Sequence, residues 1–178
     1  PLDDVQVIAP MYRGLAGVNA LNEALQKTLN SDDRKAKKAI AGRLFRVGDK
    51  VMQTRNNYEL DGFNGDIGRL SAIDTAKGEL RVIIDGVEKY YSYDEAEELI
   101  HAYCISTHRS QGSEYPIVVM PVLTQHYMML QRNLLYTAVT RAKQAVVLVG
   151  TRKAVYMAVK NDKVSQRYSG LVDRLKLI

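Results

Sequence analysis

Residues 102–121 read AYCISTHRSQGSEYPIVVMP. An apolar run closes at Ile105, nine polar and small residues follow from Ser106 to Glu114, and a second apolar run covers 117–120. Apolar runs without alternation are the mark of strands buried on both faces, as in a parallel sheet. The segment between them holds hydroxyls, an imidazole, an amide and a glycine just past a strand end. That mixture suits oxyanion binding, because glycine lets a backbone N–H come close. An ordinary polar loop is the alternative reading.

Downstream, residues 128–143 carry apolar positions at helical spacing, and 145–149 (AVVLV) form another continuous apolar strand. A last helix is expected over roughly 151–160, and the tail from Asn161 stays polar until Leu171. Upstream, 5–9 (VQVIA) is a short apolar strand. Leu15, Val18, Leu21, Leu25 and Leu29 then recur at helical steps. Residues 31–43 lose this pattern and hold five basic residues, which predicts a solvated connector or a basic arm near a phosphate backbone.

Between these parts the grammar changes. Gly48-Asp49, Asn56-Asn57, Asp61-Gly62, Asn64-Gly65, Lys77-Gly78 and Asp85-Gly86 punctuate short β-prone runs, which predicts a small antiparallel barrel. Asp85-Gly86 reads as a tight hairpin. The chain is therefore expected to be an α/β domain, residues 1–43 and 101–178, interrupted by a β insertion at 44–100. Ligands of such sheets sit at the carboxyl ends of the strands, so the loops after Ala9, Ile105 and Gly150 are candidates.

Composition narrows the classes. Hydrophobic residues make up 46% and charged residues 25%, the balance of a folded domain, and the net charge of +5 mildly favours a polyanionic partner. No apolar run has the length of a membrane span, and Asp3 and Asp4 stand where an export signal has basic residues, so a cytoplasmic location is expected and no membrane partner. The lone Cys104 is expected to be a buried small apolar residue; with three scattered histidines it makes no zinc site, and no metal ligands are expected in this chain. The chain begins at Pro1, which reads as a piece of a longer chain.

No G-x-x-x-x-G-K-[ST] occurs, so the phosphate-cradling loop of nucleotide hydrolases is absent from this sequence. Val82-Ile83-Ile84-Asp85 mimics a magnesium-holding strand, but the following Gly86 makes it a hairpin. Arg141 lies seven residues past Leu134, near the inward stripe of the 128–143 helix. A guanidinium there needs an anion, either an internal carboxylate or a nucleotide phosphate. Tyr12-Arg13-Gly14 follows a strand and opens a helix, where N–H groups favour anions.

Four segments in order carry a family resemblance. VIAPMYRGLAGVNALN (7–22) resembles motif IV of the RecD-like superfamily-one DNA helicases, the exodeoxyribonuclease V alpha-chain type. FRVGDKVMQTRNNYELDGFNGDIGRL (45–70) is similar to the start of their inserted SH3-like barrel. Residues 102–121 resemble motif V, and LLYTAVTRAKQAVVLVG (134–150) resembles motif VI.

The resemblance implies a second RecA-like motor domain of the P-loop-NTPase type, without the P-loop, and an inserted SH3-like β-barrel. It implies that Arg141 is an arginine finger on the γ-phosphate of ATP and Arg13 a second contact there. It makes Gln111 and Gly112 a phosphate-sensing turn and Glu114 a ribose ligand, and gives Tyr12 a ring to stack on adenine. Thr107, His108 and Arg109 match positions along single-stranded DNA; Arg109 stands where many relatives have Lys, which keeps the charge but changes donor geometry. Asn56, Asn57, Tyr58 and Asn64 are expected to line the same strand path. ATP and Mg2+ would be held mostly by a first RecA-like domain outside this sequence. The partners implied are that domain, single-stranded DNA with its duplex junction, and in some systems further exonuclease V subunits. The activity implied is 5′→3′ unwinding in DNA recombination and repair. A conjugative relaxase-linked helicase and a non-enzymatic binding module are the alternatives.

Overall fold

The two apolar runs of 102–121 become neighbours of the first strand, on either side of it. The computed structural model describes residues 2–126 and 130–162. In chain order it begins with β1 (Val5–Ala9) and α1 (Val18–Leu29). A hairpin of β2 (Lys37–Ile40) and β3 (Arg43–Arg46) follows. Then come β4 (Lys50–Gln53), β5 (Ile67–Asp74), β6 (Glu79–Ile84), β7 (Val87–Ser92) and β8 (Leu99–His101). The chain returns through β9 (Cys104–Ser106) and β10 (Tyr115–Val122) to α2 (Arg132–Val139), β11 (Ala142–Gly150) and α3 (Arg152–Lys160).

Strands β11-β10-β1-β9 form one sheet in which every pair is parallel. Strands β7-β6-β5-β4-β8 form a second, antiparallel sheet that interrupts the first between α1 and β9. Successive strand residues face opposite sides. Val7, Ala9 and Cys104 meet α1 through Val18, Leu21 and Leu25. Ile8, Ile105, Val118 and Met120 meet α2 and α3 through Leu134, Leu135, Ala138, Ala154 and Ala158. Helix α1 therefore covers one face and α2 with α3 the other. The antiparallel unit has its own core, with Phe45, Leu70, Leu80, Val82, Tyr91 and Leu99 all fully or almost fully buried. Asp85 (φ 49°) and Gly86 (φ 81°) join β6 to β7 with Ile84 opposite Val87, the left-handed pair of a tight hairpin.

Buried polar side chains tie the units together. Asn22 of α1 donates Nδ2 to the Cys104 carbonyl (2.7 Å) and accepts the Cys104 N–H (2.9 Å), so its amide occupies the outer edge of β9. Asp49, fully buried, accepts Asn30 Nδ2 (2.7 Å) and the Tyr103 hydroxyl (2.9 Å) on one oxygen. Its other oxygen accepts Gln26 Nε2 (2.6 Å) and the Arg46 N–H (2.7 Å) and faces His101 Nε2 at 3.3 Å. Those partners come from α1, β3, β8 and the segment before β9. Burial pushes the Asp49 carboxyl up, but its hydrogen bonds outweigh that and hold it below the usual aspartate value. Neighbouring Lys50 is also buried; it donates to the Val5 carbonyl (3.2 Å) and lines an apolar cavity of about 310 Å³ with Val7, Leu25 and Leu29. Desolvation lowers its pKa. Cys104 is fully buried as expected, and burial pushes its thiol up to about 12.

Several sequence expectations change. Helix α1 starts at Val18 and not at Leu15, which is 89% exposed; the Gly14–Gly17 turn comes first. Residues 31–43 are not a connector throughout, because 37–40 pair with β3 around the left-handed Ala41-Gly42 turn. Ile40 joins Phe45 in the core of the antiparallel unit. Helix α2 ends at Val139, so Arg141 lies beyond it, and the expected start of this helix at 128 falls outside the described residues. Strand β11 is longer than 145–149 but, as the end strand, it leaves Val147 and Val149 48% and 53% exposed. The tail beyond Asp162 lies outside the described residues.

Candidate functional site

The carboxyl ends of β1 and β9 lie side by side, with Ala9 in register with Ser106. The loop after β1 closes through Gly17 N–H to the Gly14 carbonyl (3.0 Å), Val18 N–H to Met11 (2.9 Å) and Asn19 N–H to Tyr12 (3.2 Å). A Cβ on Gly17 would run into the carbonyls of Arg13 and Tyr12, so glycine is required for this closure. The Tyr12 hydroxyl shares a hydrogen bond with Ser106 Oγ (3.1 Å) and accepts Arg109 Nε (3.1 Å), which pins the phenol across the end of β9. Its ring remains 45% exposed. Arg13 is exposed, and its side chain forms no hydrogen bond or ion pair among the described residues.

The 107–114 segment begins as a tight turn. The Thr107 N–H bonds the Ala9 carbonyl (3.2 Å), Ser110 N–H bonds Ser106 (3.1 Å), and Ser110 Oγ donates to the Thr107 carbonyl (2.8 Å). Thr107 itself is 3% exposed, and its hydroxyl lies 3.5 Å from the Ala9 carbonyl. Gly112 adopts φ +85° with open space around it, so backbone conformation rather than crowding selects glycine. His108 and Gln111 are exposed and border a cleft of about 180 Å³ whose other wall is Gln131, Asn133 and Thr137, at the N-cap and along α2. These three were missed in the sequence. The signal was there: Asn133 and Thr137 recur at i, i+4 off the apolar stripe of Leu134, Leu135 and Ala138.

Arg141 sits at the other end of the sheet. Its carbonyl accepts the Tyr115 N–H (2.8 Å), and Tyr115 is in register with Ala142 at the amino ends of β10 and β11. The guanidinium is half-buried and donates from Nε to the Thr137 carbonyl (3.2 Å), from Nη1 to the Ser113 carbonyl (3.3 Å) and from Nη2 to Thr140 Oγ1 (3.3 Å). All three acceptors are neutral, and among the described residues no carboxylate forms an ion pair with it. The nearby carboxylate, Glu114, pairs with Lys143 at 3.2 Å, both well exposed. Gln111 and Arg141 thus share the seam between the 107–114 loop and α2. Arg13 is anchored at the carboxyl end of β1, on the side where the chain leaves for α1, so the two arginines hang from opposite ends of the sheet.

In the antiparallel unit the asparagines make turns. Asn57 Oδ1 accepts the N–H groups of Glu59 and Leu60 (both 3.2 Å), and Asn56 Oδ1 accepts the Asn64 N–H (2.9 Å). What this turn presents outward are rings: Tyr58 is 79% exposed and Phe63, unnoticed in the sequence, 47%.

Comparison with known proteins meets this geometry. Residues 101–149 match the family model of the UvrD-like helicase C-terminal domain, and residues 21–83 match that of the ATP-dependent RecD-like DNA helicase SH3 domain. The chain is 34% identical over 172 residues to the ATP-dependent RecD2 DNA helicase of Deinococcus radiodurans, covering 97% of this chain and 23% of that protein. It is 34% identical over 175 residues to the RecBCD enzyme subunit RecD of Mycolicibacterium smegmatis, covering 98% of this chain and 30% of that one. The chain therefore spans less than a third of either relative. Among solved structures, Bacteroides Pif1 bound to ssDNA superposes with a TM-score of 0.58 at 18% identity over 81% of this chain and 40% of that one. Bacteroides Pif1 in complex with ADP-AlF3 and ssDNA gives 0.57 at 16% identity over 80% and 40%. These two likenesses are of fold.

Proposed function

Because the chain belongs to the RecD-like family of superfamily-one DNA helicases, we propose that it is the second motor domain of an ATP-dependent DNA helicase acting in recombination or repair. In this reading a first RecA-like domain elsewhere in the same protein supplies the P-loop and the acid that holds Mg2+. This chain supplies charge from across the cleft. One observation carries the reading: Arg141 keeps a half-buried guanidinium at the domain margin with only neutral acceptors around it. An arginine satisfied by a carboxylate would be a structural cation; this one has its charge left for an anion.

Arg141 is the group that stabilises charge on the transferring phosphoryl. Gln111 and Gly112, on the same seam, are the turn that senses it. Arg13, anchored at the other end of the sheet from Arg141, is assigned to the triphosphate by the family alone. Tyr12 offers a pinned, half-exposed ring to the base, and Glu114 is its ribose ligand after release from Lys143. ATP bound to the whole protein supplies the phosphoryl group; these residues orient it and meet its charge. Single-stranded DNA runs past Thr107, His108 and Arg109 and past the turn of Asn56, Asn57, Tyr58 and Asn64. Thr107 acts there through its place in the turn, since its hydroxyl is turned inward. The inserted SH3-like unit takes in the β2–β3 hairpin as well as 44–100, because Ile40 and Phe45 share its core. Translocation 5′→3′, a cytoplasmic location and association with exonuclease V subunits rest on the family alone. No described helix is long and apolar enough to cross a membrane. A pure binding module has no use for the Arg141 arrangement.

The test is Arg141→Ala in the full-length protein. Turnover of ATP should fall by about 10³-fold or more, the usual worth of such a cation, while nucleotide affinity changes by a few-fold. Turnover near wild type would make Arg141 a structural residue and remove the central support.

A further inference from the structure

We propose that the cleft between the 107–111 turn and the first turns of α2 binds one sugar–phosphate unit of single-stranded DNA, with Gln131 and Asn133 as its contacts on the α2 side. This rests on the reading of the chain as a DNA motor domain and adds a second wall to its strand path.

The cleft holds about 180 Å³, room for a phosphodiester and part of its sugar. Among the described residues its lining has no carboxylate to repel an anion, and its one ring is the His108 imidazole. What converges there is a set of amide groups beside the His108 imidazole. The side chains of His108, Gln111 and Gln131 form no hydrogen bond among the described residues. Asn133 uses Oδ1 to accept the Leu134 N–H (2.8 Å), which leaves its Nδ2 hydrogens for a ligand. At the start of α2 the Arg132 N–H is taken by the Asn161 carbonyl (2.8 Å), and Gln131, the N-cap residue, makes no side-chain cap, which leaves its amide for the cleft. Amide donors suit a backbone that must be held and released, since phosphate contacts position a strand without reading its sequence.

Contact across this cleft has a mechanical meaning. Its two walls are the two elements whose carbonyls, Ser113 and Thr137, hold Arg141. A strand lodged between them fixes their spacing and with it the guanidinium.

The full-length protein should be titrated against labelled oligo(dT), with labelled ATP as a second ligand. Gln131→Glu keeps the side-chain size and adds a negative charge; it should weaken oligo(dT) binding by about tenfold, and Gln131→Ala by a few-fold, equally for mixed sequences. Asn133→Ala should act like Gln131→Ala. Full affinity for oligo(dT) in Gln131→Glu, with Thr107→Ala/His108→Ala still weakened, overturns the second wall and leaves the strand path standing. Full affinity in all of them overturns the strand path as well. Loss of ATP affinity in Gln131→Glu with oligo(dT) binding intact makes the cleft a nucleotide pocket and overturns the proposal.

Discussion

The junction of the two sheets and the amino end of the parallel sheet treat a charge in opposite ways. At the junction Asp49 is fully buried and meets Asn30, Tyr103, Gln26, the Arg46 N–H and His101. At the sheet end Arg141 is half-buried and meets two carbonyls and a hydroxyl. The first charge is saturated, and its partners come from both units, so it serves the assembly of the fold. The second is solvated by neutral dipoles and keeps its monopole. Lys50, one residue from Asp49, marks the boundary of the rule: a lysine short of partners answers burial by yielding its proton more readily, as its lowered pKa indicates. Arginine has no such escape, so a carbonyl-held guanidinium points to an anion that arrives from outside.

The contrast can be broken most directly at Asp49. Asp49→Ala should cost about 3 kcal/mol, because it strands several buried donors at once, whereas Arg141→Ala should stay within about 0.5 kcal/mol in the same denaturant titration. Equal losses would erase the distinction between a structural and a functional charge. A smaller effect is expected from pH. The Asp49 carboxyl lies below its ordinary value in the fold, so its contribution is complete above the usual aspartate range, about pH 4, and disappears as pH falls through the lowered folded value. Asp49→Asn should therefore be less stable than wild type at neutral pH and lose less on acidification; parallel pH profiles for the two would contradict the assignment.

At Lys50 the sign reverses. Burial depresses a base, so stability rises with pH through its folded value, and Lys50→Met should leave stability at neutral pH equal or higher by about 1 kcal/mol. A clear loss would mean that the bond to the Val5 carbonyl matters more than desolvation. The smallest effect is kinetic. With its thiol pushed up to about 12 and its side chain enclosed, Cys104 should resist alkylation at pH 8 until the chain opens, and Asn22→Ala should hasten the reaction. Prompt labelling of the native protein would place the opening of β9 far below global unfolding.

Most of the architecture was written in periodicity. The apolar runs at 5–9 and 117–120 and the turn pairs between Gly48 and Gly86 specify the two sheets because strand burial and left-handed turns constrain residue type locally. What periodicity does not carry is where an element stops. Arg141 lies seven residues from Leu134, yet the helix has already ended at Val139, so its guanidinium is aimed by a turn and not by a helical face. Likewise Lys37–Ile40 looks too basic for a strand, and pairs with β3 because Ile40 reaches a core formed far along the chain. The sequence also grouped Arg13 with Arg141; strand register places the backbone anchors of the two at opposite ends of the sheet, and register is a long-range property. Gln131 and Asn133 stayed unnoticed for the same reason, since only the packing of α2 beside the 107–114 loop turns them into a wall.

The amide of Asn22 has a consequence beyond the stability of β9. By taking both the N–H and the carbonyl of Cys104, it imitates one residue of a further strand and leaves that stretch of the edge with nothing to offer a neighbour. Unblocked edges recruit other chains and seed aggregation. On this flank the edge is blocked at Cys104, so among the described residues β11, the opposite end strand, is where intermolecular growth of this sheet would begin more readily.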